Sequence, residues 1–118
     1  MDVLQLLSIV GAVALALAAA PFLVRPHLVE NLGVTALNGN GWLELRGIYG
    51  GVLFALAMVC LVTREPYTFL SAGAALLGFA VMGFVSLAVD HPKLSQGLIV
   101  NVAHASIGLL LLAGFWAW

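Results

Sequence analysis

Apolar residues fall in four blocks along the chain, separated by short stretches rich in charge, glycine, proline or asparagine. The first block covers 3–24 and is interrupted only by Gln5 and Ser8. The second covers about 45–62 and is free of charge from Gly47 onward; the third and fourth cover 69–89 and 98–118. A helix that crosses a bilayer needs ~20 mostly apolar residues, and at ~1.5 Å per residue these blocks reach ~27–33 Å. Lipid offers no partner to an unpaired peptide group, which makes helices the natural spanning element. The pattern predicts an all-α, polytopic membrane protein. Residues 1–118 form a single domain of four transmembrane helices, an antiparallel bundle with both ends of the chain on one side. Ala16-Leu17-Ala18 has the form of a signal-peptidase site, but the block opens with Asp2, lacks Lys or Arg, and stays apolar to Val24. A retained helix is expected.

The links between blocks differ. Thr63-Arg64-Glu65-Pro66-Tyr67-Thr68 reads as a tight turn, with Pro66 stopping the helix before it. Asp90 to Gly97 is also short. The first link, Arg25 to Glu44, is longer and half apolar: Leu28, Val29 and Leu32 share a helical face, with His27, Glu30 and Asn31 elsewhere. A short helix at the interface or over one end of the bundle is expected there. Asn38-Gly39-Asn40-Gly41 carries a turn signal, and Trp42 is placed to anchor at the interface.

An antiparallel layout collects the first link, the third link and the starts of the second and fourth helices at one end. That end holds Arg25, Glu30, Asn38, Asn40, Glu44, Arg46, Asp90, Lys93, Gln96, Asn101 and all three histidines, His27, His91 and His104; the other holds mainly Asp2, Gln5, Arg64, Glu65, Tyr67 and Ser71. Polar chemistry is thus concentrated at one mouth. By the positive-inside rule, Arg25, Arg46 and Lys93 stand against Arg64 and the amino terminus. The count tips toward a cytoplasmic mouth and becomes a tie if Arg46 is buried.

Composition sharpens the class. The chain is 64% hydrophobic and 8% charged, with four Lys or Arg, five Asp or Glu and a net charge of −1. A soluble domain carries ~25% charged residues, so nine charges cannot cover a water-facing surface. Nucleic-acid binding is excluded with it, because no basic stripe exists. Cys60 is the only cysteine, which removes a disulfide, a CxxC pair and a thiolate metal cage.

Candidate chemistry centres on Arg46. A charge at or just inside the membrane boundary costs at least ~2 kcal/mol unless it is paired or reaches water. Asp90, at the negative C-terminal end of the third helix, is the natural partner, with Tyr49 three residues from Arg46 on a shared face. Snorkelling of Arg46, or pairing with Glu44 or Glu30, are the alternatives. Asn101 and His104 are also three apart, one to two turns inside the boundary, and should face the bundle interior. They read as interhelical hydrogen bonders, or with His104 as a ligand contact or proton relay. A haem would need a second histidine at equal depth, and His91 and His27 lie in links, so no cofactor is expected, with haem or quinone as remote alternatives. No metal site is expected. Gly47 and Gly51, with Gly50 widening the groove, and Ala74 with Gly78 are small-residue pairs that would admit a neighbouring helix. Gly11, Ala14 and Ala18 mark one side of the first helix.

Glu44-x-Arg46-x-x-Tyr49-Gly50-Gly51 resembles the opening of the second helix in the DUF4345 family, small bacterial four-helix membrane proteins of unknown function. Ser86-Leu87-Ala88-Val89-Asp90 followed by Pro92 resembles that family's end of helix three, and length and span layout agree over nearly the whole chain. Two departures stand out. The family often carries an arginine about one turn before the serine, where this chain reads Met82-Gly83-Phe84. It often carries glycine after the aspartate, where this chain has His91. The layout is more distantly similar to DoxX-like proteins. The resemblance implies a bacterial inner-membrane protein of this fold and a set of site residues, and no activity.

Three functions fit these features. A small membrane binding or accessory protein is expected first, one holding an apolar or amphipathic ligand or docking to a larger membrane complex or a second copy through its polar mouth. The chain carries no HExxH, phosphate loop or Gly-x-Ser-x-Gly. A membrane enzyme using Arg46, Tyr49 and His104 on a lipid-soluble substrate is the alternative. A small ion-coupled transporter is third, weakened by the absence of a carboxylate within the first span.

Overall fold

The computed structural model describes all 118 residues and contains no strand. Four helices are long and apolar enough to span a membrane: α1 (Val3–Val24), α2 (Gly39–Thr63), α3 (Pro66–Val89) and α4 (Leu94–Ala117). The long dimension of the molecule is 45 Å, the thickness of a hydrocarbon core with its headgroup layers. Thirty large hydrophobic side chains lie on the outside. So large an apolar exterior is stable against lipid and not against water. All nine Asp, Glu, Lys and Arg residues are exposed.

Each boundary has a local cause. Asp2 caps α1 by accepting from the Gln5 N–H at 2.8 Å, while the Gln5 side chain accepts from the Asp2 N–H at 3.0 Å. This reciprocal box satisfies two donors that a helix start leaves free. The second helix begins six residues before the expected position 45. Asn38-Gly39-Asn40-Gly41, expected as a turn, forms its N-cap and first turn because Asn38 Oδ1 accepts from the Gly41 N–H at 3.1 Å. The helix ends where Arg64 turns left-handed at φ 53°. Pro66 then starts α3 at the one helical turn where a missing N–H costs nothing. Helices α3 and α4 likewise begin three to four residues before 69 and 98.

The long first link folds as expected into a short helix, a 3-10 segment over Pro26–Leu32. Three residues per turn align Pro26, Val29 and Leu32; Pro26 and Val29 are buried, and His27, Glu30 and Asn31 are exposed.

The bundle is closed at one end and splayed at the other. Ala12, Leu15, Ala57, Cys60, Phe69, Ala72, Leu76 and Leu111, drawn from all four helices, form one buried cluster. Toward the chain ends the closure tightens: Trp118 Nε1 donates to Ser8 Oγ at 3.1 Å, Gln5 Nε2 to the Ala117 carbonyl at 3.3 Å, and Trp118 stacks on Phe69. Both ends of the chain therefore lie on one side, as expected. Helix α2 packs on α3 chiefly through Leu53–Thr63, so its first half leans on α1 and leaves a gap that the 3-10 segment covers.

Glycine mediates the close approaches: Gly11 and Gly50 are among the expected positions, and Gly73 and Gly108 are not. A Cβ on Gly73 would meet the Gly108 carbonyl at 2.9 Å, and one on Gly108 would meet the Gly73 carbonyl at 3.1 Å. Gly11 sits as tightly against Leu110, and Gly50 against Leu23. Around Gly47 and Gly78 there is nothing within 4 Å, Gly51 meets only the Arg46 carbonyl, and Ala74 is exposed. Gly47, Gly51, Ala74 and Gly78 thus receive no helix of this chain; their faces look outward.

Candidate functional site

The middle of α2 is wound as a π-helix over Arg46–Val52, a stretch with three glycines. Wider i→i+5 turns separate residues three apart by roughly 100° around the axis, against about 60° in an α-helix. That removes Arg46 and Tyr49 from a common face. Tyr49 turns into the bundle, with its ring 5.9 Å from Phe22, and lines the central cavities. Arg46 turns to a groove beside the end of α1, with His27 and Trp42.

The expected Arg46–Asp90 pair is not formed. The single contact within 4.0 Å between a basic and an acidic side chain joins His27 and Glu30 at 3.9 Å, so no carboxylate lies within 4.0 Å of Arg46. Asp90 is held within its own helix: Ser86 Oγ donates to its Oδ2 at 2.6 Å. A neutral hydroxyl four residues earlier meets the need expected of a cation. Glu44 stands outside the bundle near Thr35 and Asn38. His91 is exposed at φ 50°, a left-handed conformation that favours glycine.

What does converge is a cavity of about 350 Å³ at the splayed end, among the 3-10 segment, α2, α3 and α4. Tyr49, Ser86, Lys93, Gln96 and Asn101 supply its polar lining, and Leu32, Gly83 and Val100 part of the rest. Gln96 is committed, its Nε2 donating to the Asn31 carbonyl at 3.2 Å, and Ser86 is committed to Asp90. Asn101 is not. It is 4% exposed and packs its amide on Gly83, where a Cβ would collide with it, yet the amide makes no hydrogen bond within the chain. No fully enclosed side-chain N or O lacks a partner, so the residual exposure of Asn101 lies where its amide opens on the cavity. The interhelical hydrogen bond expected of it is replaced by packing on glycine.

Below this polar chamber lies an apolar one of about 190 Å³, with Leu15, Phe22, Leu53, Ala103 and Ile107 in its walls. Leu32, Tyr49 and Val100 line both chambers. His104 belongs to the lower one. A carbonyl only accepts, so Nδ1 carries the proton it donates to the Val100 carbonyl at 2.8 Å, leaving Nε2 as an acceptor. Its ring packs on Phe79 at 4.6 Å. His104 thus bonds within its own helix.

Of the expected polar cluster, Tyr49 and Asn101 line one chamber, and Tyr49 and His104 line the next. Glu44, Arg46, Asp90 and His91 lie outside both. Nowhere do three His, Cys, Asp or Glu side chains gather as a metal would need. Gly83 is the residue of this chamber that the sequence reading missed, while Lys93 and Gln96 stand at the mouth where the sequence places them. A glycine opposite the single asparagine of the paired helix was the available signal, and it shows only once the register between α3 and α4 is known. No protein-family model matches the chain, and no curated protein or solved structure is significantly similar to it.

Proposed function

We propose that this chain is a small integral membrane binding protein that holds an amphipathic molecule, polar part uppermost, in the two stacked chambers. The carrying observation is Asn101: a nearly buried amide without a partner in the chain, facing a polar cavity that shares Tyr49 with an apolar one. The amide is open to the cavity and unclaimed by the chain, so a ligand there can supply the hydrogen bonds that a side-chain amide can both donate and accept. Small-molecule sites combine apolar walls with a few placed polar groups, commonly in ~300–1,000 Å³. The chambers have that character, with Lys93 and the Tyr49 hydroxyl as further donors above and aliphatic walls with Phe22 below. A bacterial inner-membrane setting and kinship with the DUF4345 proteins belong to the same proposal. The enzyme reading, which needs Arg46, Tyr49 and His104 together, loses support because Arg46 faces a different groove.

Native mass spectrometry of the detergent-purified protein, with an absorption spectrum alongside, tests this. The wild-type protein is expected to retain an adduct of a few hundred daltons, and Asn101→Leu and Gly83→Ala are expected to lose it. Tyr49→Phe, which preserves the ring, weakens it. An empty wild-type protein, or an adduct unaffected by all three substitutions, rejects the reading.

A further inference from the structure

Arg46 raises a question that the two chambers leave open, because a charge near the membrane boundary has no partner in its own chain. We propose that the groove between the end of α1 and the first half of α2, lined by His27, Trp42 and Arg46, seats the phosphate of an anionic phospholipid.

Three observations converge. The first is charge. Arg46 makes no hydrogen bond and no ion pair in the chain, and its groove of about 510 Å³ is lined by no carboxylate. The nearby acids are turned elsewhere: Glu30 faces His27 and Thr35, and Glu44 looks toward Thr35 and Asn38 on another side. The guanidinium and the Trp42 indole N–H are therefore uncommitted donors around one concavity, and planar guanidinium matches phosphate oxygens in pairs. Trp42 is held by its ring, stacked on His27 at 3.8 Å between centroids.

Depth is the second. Arg46 precedes Thr63, the end of α2, by seventeen residues. With the opposite interface at Thr63 and Arg64, an α rise of ~1.5 Å per residue would place Arg46 roughly 26 Å away, and the shorter rise of the π segment brings it somewhat nearer, still in the outer part of a ~30 Å hydrocarbon core. From there its side chain reaches the phosphate layer, and Trp42 lies one turn further out, at headgroup level.

The third is the floor of the groove. Gly39, Gly47 and Gly51 lie along it, and the space above Gly47 is open. Leu23 and Leu43 form its sides. This furrow runs toward the bilayer interior below the guanidinium, as an acyl chain would. A helix from a second copy would have to fill the furrow and bring a carboxylate to Arg46 at the same time, whereas a phospholipid carries its anion and its apolar chain in one molecule. Lipid satisfies both the furrow and the charge.

Free phosphate shares the headgroup chemistry, so the test separates the two sources. The protein is incubated in detergent with equimolar phosphatidylglycerol and phosphatidylcholine, and bound lipid is counted by native mass spectrometry. Both lipids carry a phosphodiester anion, but the choline cation of phosphatidylcholine opposes its attraction to Arg46, so wild-type protein is expected to retain phosphatidylglycerol several-fold over phosphatidylcholine. Arg46→Gln should abolish that preference, Arg46→Lys should restore part of it, and millimolar inorganic phosphate should not displace the lipid. Asn101→Leu, in the other site, should leave the preference intact, which separates failure here from failure of the chamber reading. Both Arg46 variants change an exposed side chain, and monomeric elution verifies their folding. Equal retention of the two lipids, an unchanged preference in Arg46→Gln, displacement by phosphate, or a dimer in place of bound lipid would each overturn the proposal.

Discussion

Gly73 and Gly78 are five residues apart on α3 and look alike in composition, yet they face different surroundings. At Gly73 a methyl group would press on the Gly108 carbonyl, which is backbone and cannot swing aside; at Gly78 it would meet nothing. Gly73→Ala is therefore expected to cost about 1–3 kcal/mol through overpacking. Gly78→Ala should gain about 0.5–1 kcal/mol from the lower entropy cost of ordering alanine in a helix. Unfolding midpoints in mixed micelles measure both, and equal effects would mean that α3 and α4 do not cross where described. Residue chemistry was legible where it was rare. Asn101 and His104 stood out as polar side chains in an apolar helix, and both line chambers. Glycines are common in membrane helices, so which of the thirteen carry a close approach depended on helix register, which hydropathy does not encode.

At the scale of the element, α1 is the best-read helix because its capping box and the end of its apolar run coincide with its true limits. Helix α2 is the least well read. Its polar opening, Asn38 to Glu44, belongs by composition to a loop and by capping to a helix, and its π winding leaves no mark in a 3.6-residue pattern. The expected Arg46–Tyr49 face was an α-helical inference applied to a segment that is not α-helical. A π segment amounts to one residue more than the α ladder can hold. Deleting Gly47, a position that packs on nothing, should restore α winding and rotate the preceding residues by about 100° relative to Leu53–Thr63. The contact between His27 and Trp42 reports that rotation. With cysteines at both positions, a short bis-maleimide should link them in the parent chain and lose most of that yield in the deletion variant. Native Cys60 is buried at the opposite end and does not compete. Unchanged linking would show that the π segment does not set the orientation of Arg46.

For the molecule as a whole, the four apolar blocks were enough to establish span number, antiparallel order and the concentration of polar groups at one end. They could not show that α2 parts from α3 at that end, because splaying depends on which helix pairs bring glycines together. Gly73 with Gly108 closes α3 on α4, Gly11 closes α1 on α4, and Gly50 draws α2 toward α1. No comparable pair joins α2 to α3. The chambers exist because three of the four neighbouring seams are sealed along more of their length than the fourth.

The seal at the closed end has a practical side. Gln5 and Ser8 on α1 are tied to Ala117 and Trp118 on α4, and the Arg64 guanidinium lies 5.7 Å over the Trp118 ring. First and last turns ordinarily fray and tolerate change; in this molecule they are the clasp. A fluorescent protein or affinity handle fused directly after Trp118 should strain that clasp and lower the thermal midpoint. The same cargo inserted beside Leu37, which is 99% exposed in the link before α2, should leave the midpoint nearly unchanged. Attachment points for imaging or capture are thus better sought in the middle of this chain than at its tips.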